Sequence, residues 1–253
     1  MHNSVIFKAA PSAIPPLAAD RAALGLLPFA AVQYCEAICA ASAFGYYIFP
    51  ARDLRLKWTG SETLVFLENK WSVLESHTPD EFRQYWRSVA PTEFFDLSPP
   101  FLTALFAPGV IQIWSGLLIK TRPGWSSLVR PLVNIPGSSL FTCYEAIVET
   151  DNYGPWPLFV NIRLTAIDVE ISIPNYNPLF QLQVIHRGSY IDADAGSHSW
   201  HSLRDSGEID LDDLSEADWS GYGATVRPAN QPSDRIIGGY GAMVRKRAKA
   251  GRL

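Results

Sequence analysis

Glu149 and Asp151 flank a threonine at the end of a predicted strand. Strand alternation puts both carboxylates on one face. A close carboxylate pair splits its two pKa values and can serve as general acid and base. The structural alternative is a turn in which Asp151 accepts hydrogen bonds from nearby backbone amides. Asn161 lies on the next predicted strand, within reach of such a pair. His186 and Arg187 close the last predicted core strand. An imidazole titrates near neutral pH, and a guanidinium grips carboxylate or phosphate as a fork. Together they could hold an anion at a barrel mouth, or simply mark a strand end meeting solvent. Glu149, Asp151 and His186 are therefore the candidate catalytic residues. Asn161 and Arg187, with Trp58 and Trp125, are the candidate ligand-binding residues. The tryptophans, including Trp114 and Trp156, sit in or beside predicted strands and suit either an aromatic pocket or the core.

Other groups carry weaker signals. His198 and His201, with Asp192 and Asp194 upstream, form the most metal-like cluster, since zinc and iron take imidazole and carboxylate ligands. Residues three apart in a strand point to opposite faces, and Gly196-Ser197 makes the segment a loop. No metal site is assigned, and no cofactor is identified. Cys35 and Cys39 would share a helix face, as a redox or metal pair or as small core side chains. Glu36 beside them reads as a surface carboxylate, with a buried acid–base group as the alternative. No serine occupies a G-x-S-x-G elbow. Gly238-Gly239-Tyr240-Gly241 lacks the strand and lysine of a phosphate-binding loop.

These residues need elements to position them. Val5-Ile6-Phe7 suits a first strand, followed by an extended linker through Pro11, Pro15 and Pro16. One helix is expected over residues 29–44, with Phe29, Val32, Cys35, Cys39 and Ala43 on a shared face and Gly45 ending it. Strands are expected over residues 46–49, 54–58 and 63–67, the second alternating cleanly into a Thr59-Gly60 turn. Thr78-Pro79-Asp80-Glu81 starts a further helix carrying Phe82, Tyr85, Trp86 and Val89. Pro91, Pro99 and Pro100 then predict an irregular connection. From Val110 onward the pattern is β, with strands over 111–119, 126–134, 143–149, 158–164, 169–173 and 180–186. Turn-rich separators divide them, such as Ile135-Pro136-Gly137 and Pro174-Asn175-Tyr176-Asn177-Pro178. Repeated short strands at this spacing imply a sandwich or barrel.

Composition bounds the rest. The 253 residues are 47% hydrophobic and 18% charged, which suits a packed core rather than a disordered chain. A net charge of −4 gives no bulk attraction to nucleic acid or an anionic membrane. Three cysteines and the absence of a secretory pattern point to a reducing, cytoplasmic setting. No stretch is apolar and long enough to span a bilayer.

Several segments, taken together, resemble a bacterial family of β-rich domains of unknown function. They are Tyr34-Cys35 through Gly45-Tyr46 to Pro50; Trp58-Thr59-Gly60; and Thr121-Arg122-Pro123-Gly124-Trp125 with Asn134 and Pro136. Val148-Glu149-Thr150-Asp151 with Asn161 follows, then Pro178 leading to Phe180-Gln181-Leu182-Gln183 and His186-Arg187. The resemblance covers residues 25–187. Phe44 and Asn152 depart from it, and nothing beyond Arg187 has a counterpart. It implies a jelly-roll-like body and no particular reaction.

The sequence thus reads as mainly β: an antiparallel β-sandwich or jelly-roll-like barrel over residues 1–187, with a short N-terminal helix. Residues 188–253 form an irregular C-terminal extension, acidic and then basic. The function read from it is binding or transformation of a small organic molecule in a β-sandwich pocket, of the kind met in bacterial specialised metabolism. That reading expects a concave site of a few hundred Å³ lined by aromatics. The alternative is a non-catalytic interaction or oligomerisation protein using the charged extension. A small-molecule ligand is the expected partner, self-association stays open, and neither nucleic acid nor membrane is expected.

Overall fold

Gly116 sits inside the longest strand with φ at +77°, a conformation that side chains with a Cβ rarely adopt. The strand is β9, Val110–Thr121, in a computed structural model that describes residues 3–105, 107–191 and 215–225, with 244, 246, 247, 249 and 250. Three antiparallel sheets make the body. The first holds β1 (Ser4–Lys8), β7 (Ser76–His77), β8 (Leu102–Ala104), β9, β11 (Phe141–Cys143) and β13 (Trp156–Leu164). The second runs β12 (Ala146–Val148), β10 (Trp125–Arg130), β15 (Phe180–His186), β3 (Tyr46–Ile48), β2 (Leu17–Ala18). The third runs β14 (Glu170–Ile173), β4 (Leu54–Trp58), β5 (Thr63–Leu67), β6 (Lys70–Val73). The mainly β, antiparallel, jelly-roll-like class read from the sequence is the class observed.

β9 has two different neighbours along one edge. Its first half pairs with β8 and its second half with β1, while β13 runs along the other edge. Between the two partners the chain needs a change of direction, and Gly116 supplies it. The Gly116 carbonyl accepts from the amides of both Ala9 and Ala10, at 3.0 and 2.9 Å. That close approach leaves no room for a side chain: a Cβ on Gly116 would lie 2.8 Å from the Cβ of Ala13 and 3.0 Å from that of Ala10.

The core forms where the inward residues of the three sheets meet. Leu54, Leu56 and Trp58 alternate inward on β4, and Leu158, Val160, Ile162 and Leu164 do so on β13. Phe82, Phe101 and Trp114 form an aromatic triangle with centroids 5.0, 5.1 and 5.3 Å apart. Edge-to-face contacts of this kind contribute roughly 0.5–1.5 kcal/mol each beyond simple burial. The Trp114 indole N–H donates to the Leu117 carbonyl at 2.8 Å, so the buried ring leaves no polar atom unpaired.

The helices depart from expectation in one respect. The predicted helix over 29–44 is two helices, α1 (Phe29–Tyr34) and α2 (Glu36–Ser42), broken at Cys35, whose φ and ψ are −111° and 87°. Glu36 is buried rather than at the surface, where Arg21 grips it through two bonds of 2.7 and 2.9 Å. The pair holds the first residue of α2, with Glu36 buried and Arg21 half-exposed. α3 (Asp80–Val89) starts after Pro79 as the sequence predicts and buries Phe82.

Gly116→Ala should lower the unfolding free energy by about 3 kcal/mol, combining backbone strain with overpacking. Urea denaturation measures it. Adding Ala13→Gly to that variant should recover part of the loss, because it removes the nearest colliding atom.

Candidate functional site

Five of the candidate residues are drawn together by one hairpin turn. β9 and β10 are joined by residues 122–124, and Gly124 in that turn has φ at +81°. Its amide donates to Asp151 Oδ2 at 2.9 Å, and its carbonyl accepts from the Arg187 amide at 2.8 Å. Arg187 in turn donates through Nη2 to Asp151 Oδ1, and Glu149 Oε2 lies 3.4 Å from the same nitrogen. His186 packs its ring edge-to-face on Trp125, with centroids 5.4 Å apart. Glu149 and Asp151 lie in a turn after β12 rather than on a strand face, with Asp151 accepting a backbone amide, and Arg187 is the group they share.

Electrostatics separates the two carboxylates. The Asp151 side chain is 5% exposed and that of Glu149 is 37% exposed. Burial works against an Asp151 charge, but the Gly124 amide and the Arg187 guanidinium outweigh it and hold the carboxyl below its ordinary range. Burial likewise opposes the Arg187 charge, yet Tyr190 and the two carboxylates raise its pKa above the usual arginine value. Both Asp151 oxygens are engaged, which leaves it a fixed anion and no proton shuttle near neutral pH. Glu149 is the more accessible group and accepts from Asn152 Nδ2 at 2.7 Å.

Under this layer lies a chain of hydroxyls. Thr150 Oγ1 is 2.8 Å from Thr121 Oγ1 and 2.9 Å from Ser127 Oγ, and all three residues are buried. Thr121 Oγ1 also donates to the Trp125 carbonyl at 2.7 Å. Ser126 Oγ and the Tyr190 hydroxyl meet at 2.6 Å. These contacts tie the 149–151 segment, the hairpin turn and the end of β15 into one unit.

Two candidates fall elsewhere. Trp58 is a core side chain whose ring packs on Gly109, and it meets none of the others. Asn161 pairs in register with Gln112 on β9, and its Oδ1 is buried without a hydrogen-bond partner among the described residues. Asp192, Asp194, His198 and His201 lie outside the described residues, as do the 238–241 glycines and much of the charged extension. Among the described residues no group of three or more His, Cys, Asp or Glu is arranged to hold a metal ion. No helix among them is long and apolar enough to cross a membrane.

A further concavity was not placed by the sequence. A cleft of about 670 Å³ opens where β11, β14 and the turns around the three sheets converge. Phe141, Thr142 and Cys143 line it from β11, and Ser172 and Ile173 from β14. Leu24 and Leu26 form one rim, and residues 131–138 and 174–179 form the others. None of the lining residues is charged. Burial pushes the Cys143 thiol up to about 11, so it stays protonated, and it donates to the Leu179 carbonyl at 3.6 Å.

Each rim is anchored by a buried or paired polar group. The Asp20 carboxylate accepts from the Ala22 and Leu24 amides at 2.8 and 2.9 Å. Gln181, fully buried, accepts from the Val133 amide at 3.1 Å and donates to the Ser42 and Phe44 carbonyls. Asp53 Oδ1 accepts from the Asn175 amide at 2.7 Å. The expected aromatic pocket is thus a proline- and aliphatic-lined cleft with a single aromatic, Phe141. Its sequence signal was the apolar content of the turns, where Leu132, Ile135 and Leu179 sit among prolines without a strand to bury them.

No protein-family model and no curated protein matches the chain, so the resemblance over residues 25–187 gains no support from either. Solved structures of staphylococcal phage dUTPases are similar to it at low level. A variant from Staphylococcus bacteriophage 80alpha gives a TM-score of 0.38 at 8% identity, covering 84% of this chain and 98% of that one. A variant from phage phi11 of S. aureus gives 0.37 at 11% identity, covering 73% and 91%. Likeness at this level fixes neither a topology nor a ligand.

Because the Asp151 pKa is lower in the folded chain than in the unfolded one, its contribution to stability is full above the ordinary carboxylate pKa of about 3.9. It is lost as pH falls through the depressed folded value. Asp151→Asn should therefore be less stable than the parent at pH 7, and the gap should shrink progressively below about pH 4. Thermal melts from pH 7 to pH 2 check this.

Proposed function

We propose that the chain binds a small, neutral and largely apolar organic molecule in the cleft between its three sheets. The observation that carries this is the composition of the lining: 17 residues, none of them charged, around a volume of about 670 Å³. Small-molecule sites are commonly concave, mostly apolar and of roughly 300–1,000 Å³, with a few polar groups for orientation. Here Ser138, Thr142, Ser172 and Asn177 supply those groups. A charged ligand would lose its hydration without gaining a counter-ion, so the lining selects against it.

Binding without chemistry fits the lining better than catalysis. Its one ionisable side chain, Cys143, is a protonated thiol at neutral pH, a poor nucleophile and a poor base. Glu149, Asp151, His186, Arg187 and Trp125 are absent from the lining. We assign the Asp151–Arg187 pair the role of a clip that fixes the hairpin turn to the last core strand.

The neutral fluorophore N-phenyl-1-naphthylamine tests the reading on the full chain. Its emission should rise on binding, and Thr142→Trp, which places an indole in the cleft, should weaken that binding at least tenfold. Bound fluorophore should also slow alkylation of Cys143 by iodoacetamide, followed by peptide mass spectrometry. Binding that is unaltered by Thr142→Trp and leaves Cys143 unprotected would place the ligand elsewhere and refute the proposal.

A further inference from the structure

A second, smaller hollow of about 190 Å³ lies on another part of the molecule, between the chain after β1, the β3–β4 connection and the first turn of α3. Pro11, Pro79, Phe82 and Phe101 give it apolar walls, and Ser12, Arg52 and Glu81 give it polar ones. Phe82 and Phe101 are both buried members of the core, so this floor is rigid.

The hollow carries one charge of each sign, on the half-buried Arg52 and the exposed Glu81. Neither the Arg52 nor the Glu81 side chain forms a hydrogen bond or an ion pair with another described residue, although both line the same hollow and carry opposite charge. Ser12 has no hydrogen-bond partner among the described residues either.

His77 stands beside them, in the strand pair next to Phe101, whose amide donates to the His77 carbonyl at 2.9 Å. Its Nε2 is buried without a hydrogen-bond partner among the described residues. Burial lowers its pKa, Arg52 and Arg83 lower it further, and Glu81 and Asp80 oppose them. The ring therefore senses both charges that line the hollow.

We infer that this hollow binds a small zwitterion with an apolar side chain, a free aliphatic α-amino acid. The ligand's carboxylate pairs with Arg52, its ammonium pairs with Glu81, and its side chain rests on Phe82 and Phe101. A cation and an anion lining one cavity, neither side chain holding a protein partner, are complementary to a molecule carrying both charges. A fork of guanidinium donors suits a carboxylate, and a carboxylate acceptor suits an ammonium. The volume falls below that of a drug-sized pocket, which favours an amino acid over a larger ligand. The same small volume disfavours a dipeptide.

The test titrates the full chain with L-leucine, following the His77 ring resonances by NMR and heat by calorimetry. Three relatives of the ligand run alongside: 4-methylpentanoate without the ammonium, 3-methylbutylamine without the carboxylate, and the dipeptide Leu-Leu. L-leucine should shift the His77 resonances and saturate, while each of the three binds at least tenfold more weakly. Arg52→Met keeps the aliphatic stem, and Glu81→Gln keeps the shape. Each should weaken L-leucine at least tenfold while leaving N-phenyl-1-naphthylamine binding in the large cleft unchanged. No His77 shift at millimolar L-leucine, equal binding of all four compounds, or full affinity in both variants would overturn the inference.

Discussion

Gly116 is the point at which β1, from the start of the chain, and β8, the strand just before β9 in sequence, share one edge of β9. Its carbonyl takes both amides of the Ala9-Ala10 step, and its missing side chain lets Ala10, Ala13 and Ala51 close over it. Small residues on both sides are needed at once. A larger residue at any of these positions would push β1 off the sheet and open the adjacent core. The aromatic triangle of Phe82, Phe101 and Trp114 depends on the same strand, since Trp114 lies two residues before the glycine and its backbone amide donates to the Phe101 carbonyl. The small hollow beside α3 takes its floor from Phe82 and Phe101 of this triangle.

The strands were legible because their alternation is clean. Residues 54–58, 63–67 and 180–186 match β4, β5 and β15 residue for residue, since each is bounded by turn residues and buries one face. The segment read as one strand over 143–149 is instead the end of β11 and the whole of β12, which belong to different sheets. No breaker residue marks that corner; tertiary pairing alone decides it, with Tyr144 taking the Asn161 carbonyl. β2, β6, β7 and β8 were not foreseen, because strands of two to four residues lack a period long enough to read. The helix break at Cys35 was hidden for a similar reason. The Arg21–Glu36 pair beside it is a contact between residues fifteen apart that local periodicity does not register.

For the candidate site, the strand ends were legible, and neither their meeting nor the roles of the residues was. Sequence order placed Glu149 and Asp151 at one strand end and His186 and Arg187 at another, and the sheet brings those ends together at the Gly124 turn. What the order does not carry is how many partners each oxygen acquires. Asp151 has an amide and a guanidinium, which turns a potential acid into a fixed anchor. The cleft was overlooked because its walls are turn residues, usually read as solvent-facing punctuation. Their prolines hold Leu132, Ile135 and Leu179 in place without a ladder of hydrogen bonds.

Gln181 joins two features that otherwise look separate. Its carboxamide oxygen holds the Val133 amide, in the cleft's 131–138 rim, while its nitrogen holds the carbonyls of Ser42 and Phe44 at the end of α2. Asn134 adds a parallel strut to Ser42 Oγ at 2.9 Å. A guest that spreads Ile135 and Pro136 apart must stretch these buried amide bonds or draw the helix along with the rim. The aperture of the cleft and the seat of α2 are therefore geared to each other, with a glutamine side chain as the tooth they share.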